Sequence, residues 1–155
     1  MNEPGKRKVV VTGAGMVGST FAYALAQSGV ADEIALIDQN KDLVKGQVLD
    51  LAHGLPFFPT ADIHEGTPTD YADAVVIVIT AGANQKPGES RLELLKKNTR
   101  IMNGIISDIV SMKSPAIIVI ATNPVDLLTY AAIEKSGFPP GRVIGTGTFL
   151  DSSRL

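Results

Sequence analysis

The stretch KVVVTGAGMVGSTFAYALA, residues 8–26, decides the fold. An apolar, β-forming run leads directly into GAGMVG at residues 13–18, and an alanine-rich helical pattern follows without a break. This is a G-x-G-x-x-G motif at a strand-to-helix junction, the context in which the motif indicates a dinucleotide site. Gly13 permits the tight turn, Gly15 leaves room for a pyrophosphate, and Gly18 allows helix and strand to pack closely. The helix N-terminus offers unpaired N–H groups and a positive dipole end to the phosphates. A glycine-rich turn without a ligand is the alternative.

A carboxylate follows the next apolar run. Residues 33–38 read EIALID, a short strand that ends at Asp38, 20 residues after Gly18. That is the spacing expected of the acid that binds the adenosine ribose. A carboxylate accepts hydrogen bonds from the ribose hydroxyls and repels a 2′-phosphate, so it favours NAD over NADP. Asp38 could also cap the next helix, and the two roles are compatible.

Composition excludes several classes of function. The chain has 155 residues, enough for one domain with a real core, and its net charge of −2 gives no electrostatic case for binding nucleic acid or an anionic membrane. The absence of cysteine excludes disulfides, thiolate catalysis and cysteine-ligated zinc, and we predict no metal site. The sequence contains neither a signal-peptide pattern nor an 18-residue apolar run. We therefore expect a soluble, cytoplasmic protein.

Strand and helix patterns alternate along the rest of the chain. Continuous apolar runs at 74–80 and 116–121 predict strands buried on both faces. Shorter strands are expected at 62–65 and 142–144. Helical patterns cover 41–53, 90 to about 112, 123 to 137, and the chain from about 148. This alternation predicts an α/β fold with a doubly wound, parallel six-stranded sheet in the order 3-2-1-4-5-6. We assign residues 1–147 to this NAD-binding domain and residues 148–155 to the start of a helix leading into a missing second domain.

The helix from residue 90 carries the clearest local signals. Ser90 and Glu93 form an S-x-x-E capping box at its start. Its predicted inner stripe consists of Leu92, Leu95, Met102, Ile105, Ile109 and Met112.

Three segments at the carboxyl ends of strands carry polar residues that the fold does not need. In the loop of residues 81–91, Gln85 and Arg91 could reach a substrate, although a solvated loop is the alternative. Asn123 could be functional or simply the N-cap of the next helix. In residues 148–154, Thr148 and Asp151 look like a capping pair. Asp151 and Arg154 could form a surface ion pair, or the guanidinium could bind a substrate carboxylate bidentately.

Taken together, these motifs resemble the L-lactate dehydrogenases, specifically the bacterial ones. The matching stretches are GAGMVG (13–18), ADEIALID (31–38), DLAHG (50–54), AGANQKPGESR (81–91), ATNPVD (121–126) and GTGTFLDSSR (145–154). The resemblance covers essentially the whole chain, and six motifs in the same order are far more specific than the glycine turn alone.

The resemblance implies roles for five substrate-side residues. Arg91 polarises the substrate carbonyl when its loop closes, and Gln85 reads the far end of the substrate. The related malate dehydrogenases carry arginine at that place, so a neutral glutamine favours pyruvate and L-lactate over oxaloacetate and malate. Asn123 contacts the nicotinamide ribose and the substrate, with a cis peptide bond before Pro124. Arg154 binds the substrate carboxylate, and Asp151 orients the catalytic histidine.

The resemblance also implies NAD as the cofactor. The residues expected to bind it are Gly13, Gly15, Met16, Val17, Gly18, Asp38, Gly82, Ala83, Gly104, Ala121, Asn123 and Thr146.

The proton donor of the family is not in this sequence. In the relatives, a histidine about two dozen residues beyond Arg154 supplies the proton, and neither His53 nor His64 is expected to replace it. We therefore expect the NAD-binding domain of an L-lactate dehydrogenase, an oxidoreductase of glycolysis that converts pyruvate and NADH to L-lactate and NAD. The isolated chain should bind NAD with negligible turnover and should form a homo-oligomer. A malate dehydrogenase domain and a non-catalytic, self-assembling dinucleotide-binding module are the alternatives.

Overall fold

The chain folds around a six-stranded parallel sheet. A computed structural model describes residues 6–85 and 87–154. Its strands are β1 (Lys8–Thr12), β2 (Glu33–Ile37), β3 (Asp62–Glu65), β4 (Val76–Ile79), β5 (Ile117–Ile120) and β6 (Val143–Gly145), in the order β3-β2-β1-β4-β5-β6. The predicted fold class and strand order are confirmed. The division into residues 1–147 and 148–155 extends past both ends of the described residues and stays a prediction.

Helices cover both faces of the sheet. They are α1 (Met16–Ser28), α2 (Lys41–Gly54), α3 (Arg91–Ser111), α4 (Val125–Ser136) and the short α5 (Phe149–Ser152), with 3₁₀ turns at Leu55–Phe57, Pro68–Ala72 and Pro140–Arg142. Helices α1 and α2 pack with one side of the strands, and α3 and α4 with the other. Gly29 and Gly137 end α1 and α4 in the left-handed conformation that glycine adopts without strain. Among the described residues, none of the helices combines the length and the apolar character that a membrane span requires.

Alternate residues of the strands are buried in two separate hydrophobic cores, one on each face of the sheet. Because both faces are buried, each strand is apolar at consecutive positions. The core under α3 and α4 contains Val10, Ile77, Ile79, Ile118 and Ile120, together with Met102, Ile106 and Ile109 of α3. The core under α1 and α2 contains Val9, Val11, Ile34, Leu36 and Val78, together with Ala22, Val44 and Leu51.

The inner stripe of α3 differs from the prediction at its first turn. Leu92 is 60% exposed, whereas Asn98 and Ile106 are buried beside Met102 and Ile109. The buried positions of α3 begin only at Asn98, so the first turn lies beyond the part of the helix that packs on the sheet. Helical periodicity alone does not reveal where the sheet beneath a helix ends.

Three capping interpretations are wrong. Asn40, not Asp38, caps α2, because its side chain accepts a hydrogen bond from the backbone of Leu43. Helix α4 begins at Val125 without a side-chain cap, so Asn123 is not its N-cap. Thr148 makes no capping hydrogen bond at α5. The capping box of Ser90 and Glu93, in contrast, is confirmed.

Charged side chains gather at the amino ends of β1, β2 and β3. This amino-edge cluster consists of Lys6, Lys8, Glu33, Asp62, His64, Asp70 and Asp73. At its centre, Lys8 is only 8% exposed, and its ammonium lies 2.9 Å from Glu33 and 2.8 Å from Asp73. Burial alone would raise the pKa of Glu33, but hydrogen bonds from lysines outweigh it and lower the pKa to about 2. These charges therefore stabilise the edge of the sheet opposite the glycine turn.

His64 belongs to this cluster. Its ring lies 3.1 Å from the Glu33 carboxylate. Burial alone would lower the pKa of His64, but the hydrogen bond to Glu33 outweighs it, so the pKa is raised. This histidine has a structural partner far from the carboxyl ends of the strands.

Candidate functional site

The glycine turn between β1 and α1 is held against β4. Gly13 has φ +106°, and its N–H donates to the carbonyl of Ile37 over 2.7 Å. The Thr80 hydroxyl donates to the Gly13 carbonyl over 2.8 Å. A Cβ at Gly13 or at Gly18 would lie 2.7 Å from the Thr80 oxygen, and the Gly13 carbonyl also occupies the space beside Gly18. The turn therefore requires glycine at both positions for packing reasons alone.

Gly15 differs from its two neighbours because it faces open space. A Cβ there would meet no atom within 4 Å, and its φ of −68° is accessible to any residue. It is the N-cap of α1 and lacks a side chain to satisfy the free N–H groups, and the first turn of α1 carries no acidic residue. An open helix N-terminus without negative charge fits an anionic pyrophosphate.

Asp38 lies beside this turn, at the carboxyl end of β2. One carboxylate oxygen accepts from the N–H of Ala14 over 2.9 Å, and the other accepts from the N–H of Asn40 over 3.0 Å. Each oxygen keeps a second lone pair. Asp38 thus supports the glycine turn and can still accept hydrogen bonds from a ribose.

A cleft opens on the other side of the turn, at the carboxyl ends of β4 and β5. Its volume is about 270 Å³. Six residues of the predicted site line it: Val17, Gly82, Ala83, Gln85, Ala121 and Asn123. The peptide bond between Asn123 and Pro124 is cis, as the resemblance implied. The structure therefore brings six of the residues expected around the cofactor and the substrate into one cleft.

The loop between β4 and α3 holds Gln85 near the cleft but not Arg91. The Gln85 side-chain amide donates to the Glu89 carbonyl over 2.7 Å. Arg91 is the first residue of α3, is exposed, and does not line the cleft. Hydrogen bonds from Ser90 lower the pKa of Glu93 and keep this carboxylate charged at the helix start. Arg91 reaches the cleft only if the loop moves.

Besides Arg91, Asp38 and the three glycines of the turn, five predicted residues lie outside this cleft. Met16 is exposed in the first turn of α1, and Gly104 lies on α3 six residues after Asn98, about 240° further around the helix axis. Thr146 follows β6, where its N–H donates to the Ile120 carbonyl. Asp151 on α5 and Arg154, two residues beyond the end of that helix, form an exposed pair, 3.9 Å apart. The predicted roles of these five residues stay predictions.

Two buried residues in the cleft wall were missed by the sequence analysis. Thr122 donates its hydroxyl to the Ala81 carbonyl over 2.9 Å. The side chain of Asn98 joins the backbone of Ala83 to that of Asn123. A signal for Asn98 was present, because it lies three residues after Leu95 and four before Met102, on the apolar stripe of α3.

Residues 7–145 match the family model described as the NAD-binding domain of lactate/malate dehydrogenase. The chain belongs to this family. NAD is the family's cofactor, and the turn, the open helix start and the carboxylate described above fit its diphosphate and ribose.

Known members of the family resemble the chain closely. It is 58% identical over 150 residues to an L-lactate dehydrogenase of Treponema denticola, an alignment that covers 97% of this chain and 48% of that protein. The minor L-lactate dehydrogenase of Enterococcus mundtii in its ligands-bound form is 44% identical with a TM-score of 0.92, covering 94% of this chain and 47% of that one. A lactate dehydrogenase from a Medee basin deep-sea metagenome is 45% identical, also with a TM-score of 0.92, covering 96% and 48%. The chain spans about half the length of the curated relatives it matches.

Proposed function

We propose that this chain is the NAD-binding half of an L-lactate dehydrogenase, which interconverts pyruvate and L-lactate. The observation that carries the proposal is the glycine turn, in which Gly15 faces open space between Asp38 and the cleft. Two of the three glycines are needed for packing, whereas packing places no demand on Gly15. A ligand that approaches the backbone closely explains the glycine at this position.

The chain's own residues divide the work of holding the cofactor. The N-terminus of α1 attracts the pyrophosphate, and Asp38 accepts from the adenosine ribose and repels a 2′-phosphate. The nicotinamide half then occupies the cleft, where it would lie against Val17, Gly82 and Asn123. When bound, the nicotinamide ring supplies or accepts the hydride.

Substrate choice depends on the loop that carries Gln85 and Arg91. A neutral amide at residue 85 has no charge to pair with a second carboxylate, so it favours pyruvate over oxaloacetate. On closure, Arg91 would polarise the substrate carbonyl, Arg154 would bind the carboxylate in a forked geometry, and Asp151 would orient a protonated imidazole.

Neither histidine of the chain is in place to act as the proton donor. His53 is in the last turn of α2, and His64 is bound to Glu33 in the amino-edge cluster. We therefore expect this chain to bind NADH without measurable reduction of pyruvate. Location in the cytoplasm stays a prediction.

A non-catalytic, self-associating module is the second candidate, favoured by exposed apolar residues on the sheet. Ile117 and Ile144 lie on β5 and β6, on the face opposite α3 and α4, and are 42% and 47% exposed. Apolar surface of this kind promotes association, and we propose that the chain forms homo-oligomers.

The proposal is tested by titrating the chain with NADH and following nicotinamide fluorescence, with ADP-ribose as competitor. We expect saturable binding that ADP-ribose displaces. To test substrate choice, the chain is fused to the second half of the Treponema denticola relative and assayed with pyruvate and oxaloacetate. Faster turnover of oxaloacetate would favour malate dehydrogenase, and absence of NADH binding would refute the proposal altogether.

A further inference from the structure

Asn98 makes two hydrogen bonds that join the walls of the cleft. It is 3% exposed, on the third turn of α3. Its carbonyl oxygen accepts from the N–H of Ala83 over 2.8 Å, and its amide nitrogen donates to the carbonyl of Asn123 over 3.1 Å. One side chain therefore connects the segment after β4 to the segment after β5.

No other side chain of the described residues bonds these two backbone groups. Both hydrogen bonds are partly buried, so removing the Asn98 amide would leave the N–H of Ala83 and the carbonyl of Asn123 without their side-chain partner and free to move apart. Asparagine is also disfavoured inside helices, since its side chain competes for backbone hydrogen bonds. The hydrogen bonds that Asn98 makes in the cleft therefore explain why asparagine stands on the apolar stripe of α3, since the helix itself does not favour it.

The two walls are in close contact at this point. A Cβ on Gly82 would lie 2.6 Å from the Thr122 methyl group and 3.6 Å from both polar atoms of the Asn98 side chain. Since little free space exists between the walls, a small change in their separation alters the shape of the cleft. Asp38 and the turn at Gly15 are built from other contacts, to Ile37, Thr80 and Asn40.

The geometry points to Asn98 as a positioning residue for the nicotinamide end of the cofactor. By holding Ala83 and Asn123 at a fixed separation, it shapes the cleft while touching neither the adenosine nor the pyrophosphate region. This inference rests on the proposed function, because the cleft accepts the nicotinamide half only if the glycine turn accepts the pyrophosphate. It predicts that a change at Asn98 affects the two halves of the cofactor unequally.

The test replaces one hydrogen bond and leaves the other. Asn98→Asp keeps the acceptor for Ala83 but, when ionised, places a negative oxygen against the Asn123 carbonyl. We expect NADH to bind about tenfold more weakly and ADP-ribose, which lacks nicotinamide, to change by less than about twofold. When protonated, the new carboxyl donates as the amide did, so the ratio of the two affinities should recover as the pH falls towards the pKa of that carboxyl, while the wild-type ratio stays flat.

Gln27→Glu is the control variant, since it adds the same charge at the far end of α1. It should leave the affinity ratio unchanged. Equal weakening of both ligands in a folded Asn98→Asp chain, or no weakening of either, overturns the inference and leaves dinucleotide binding intact. Failure of the wild-type chain to bind either ligand refutes the proposed function itself.

A second measurement covers the case in which Asn98→Asp does not fold. With asparagine selectively labelled with ¹⁵N in the wild-type chain, the side-chain amide signal of Asn98 is followed during titration. We expect NADH to shift this signal and ADP-ribose to leave it in place. Equal shifts with both ligands, or no shift with either, contradict a role at the nicotinamide end.

Discussion

Alanine substitutions at Gly15 and Gly18 should separate binding from folding. Both glycines belong to the same motif, but their surroundings differ. A Cβ at Gly15 meets nothing within 4 Å, whereas a Cβ at Gly18 meets the Gly13 carbonyl and lies 2.7 Å from the Thr80 hydroxyl. Gly15→Ala should therefore weaken ligand binding, and Gly18→Ala should lower the stability of the fold.

The magnitudes follow from these surroundings. At Gly15, alanine is a poorer N-cap but restricts the unfolded chain, so the free energy of unfolding should change by less than about 1 kcal/mol. Its methyl group occupies the approach of the pyrophosphate, and losing one charged hydrogen bond of about 1.5–3 kcal/mol weakens NADH binding roughly 10- to 100-fold. At Gly18, overpacking against a backbone carbonyl costs about 2–3 kcal/mol, which lowers Tm by roughly 5–10 °C.

Thermal unfolding followed by circular dichroism measures the change in stability, and NADH fluorescence titration measures the change in binding. Gly46→Ala, on α2, is the control for alanine at an open glycine, because a Cβ at Gly46 would also meet no atom within 4 Å. A Gly15→Ala chain that binds NADH as tightly as the wild type would refute the assignment of this turn to the pyrophosphate. A Gly18→Ala chain with unchanged Tm would refute the packing argument.

The remaining predictions concern specificity, folding and association. Asp38→Ala should reduce the preference for NADH over NADPH about tenfold, since the ribose acceptor and the charge that repels a 2′-phosphate are both lost; titration with each cofactor measures it. Lys8→Met should cost about 2 kcal/mol, or roughly 4–8 °C in Tm, because it leaves buried carboxylates without their cation. Since the pKa of Glu33 is lowered to about 2, its stabilisation is present above pH 4.5 and is lost towards pH 2. The difference in Tm between the wild type and Lys8→Met should therefore narrow over that range. Light scattering should show an apparent mass that rises with concentration, and Ile117→Lys should reduce the rise.

Matched variants control two of these tests. Asp42→Ala removes an exposed carboxylate from the first turn of α2, close to Asp38 in sequence, and should leave the cofactor preference unchanged. Lys45→Met removes an exposed lysine from the same helix and should leave Tm nearly unchanged. A preference that survives Asp38→Ala would contradict the ribose role, and equal effects of Lys8→Met and Lys45→Met would contradict the buried-charge argument. A constant monomer mass at all concentrations would contradict self-association.

Local sequence signals predicted most of the fold. Continuous apolar runs such as residues 74–80 and 116–121 can be buried only in a sheet covered on both faces, and the glycine turn orients the first strand and helix. The exposure of Leu92 was not predictable, because periodicity defines the faces of a helix but not the extent of the sheet beneath it. The position of Asn40 as the cap of α2 depended on backbone angles that the sequence pattern leaves open.

The candidate site was predictable where the motif constrains the backbone, and less so where packing places side chains. Asp38 lies beside the glycine turn as its spacing suggested, but its hydrogen bond to Ala14 depends on the sheet register. Asn98 was missed because its partners, Ala83 and Asn123, are 15 and 25 residues away in sequence. Gln85 lies on the loop before α3 and Arg91 is the first residue of that helix, and no local pattern predicts how either side chain would meet a substrate.

Backbone ¹⁵N–¹H spectra of the chain, recorded during titration with NADH, test the central claim most directly. We expect the amide signals of Gly15, Met16 and Val17 to shift together with those of Gly82 and Ala83, since these groups surround the turn and the cleft. The signals of Lys8 and Glu33, at the opposite edge of the sheet, should stay in place. Shifts confined to that opposite edge, or a spectrum unchanged at saturating NADH, would contradict the account.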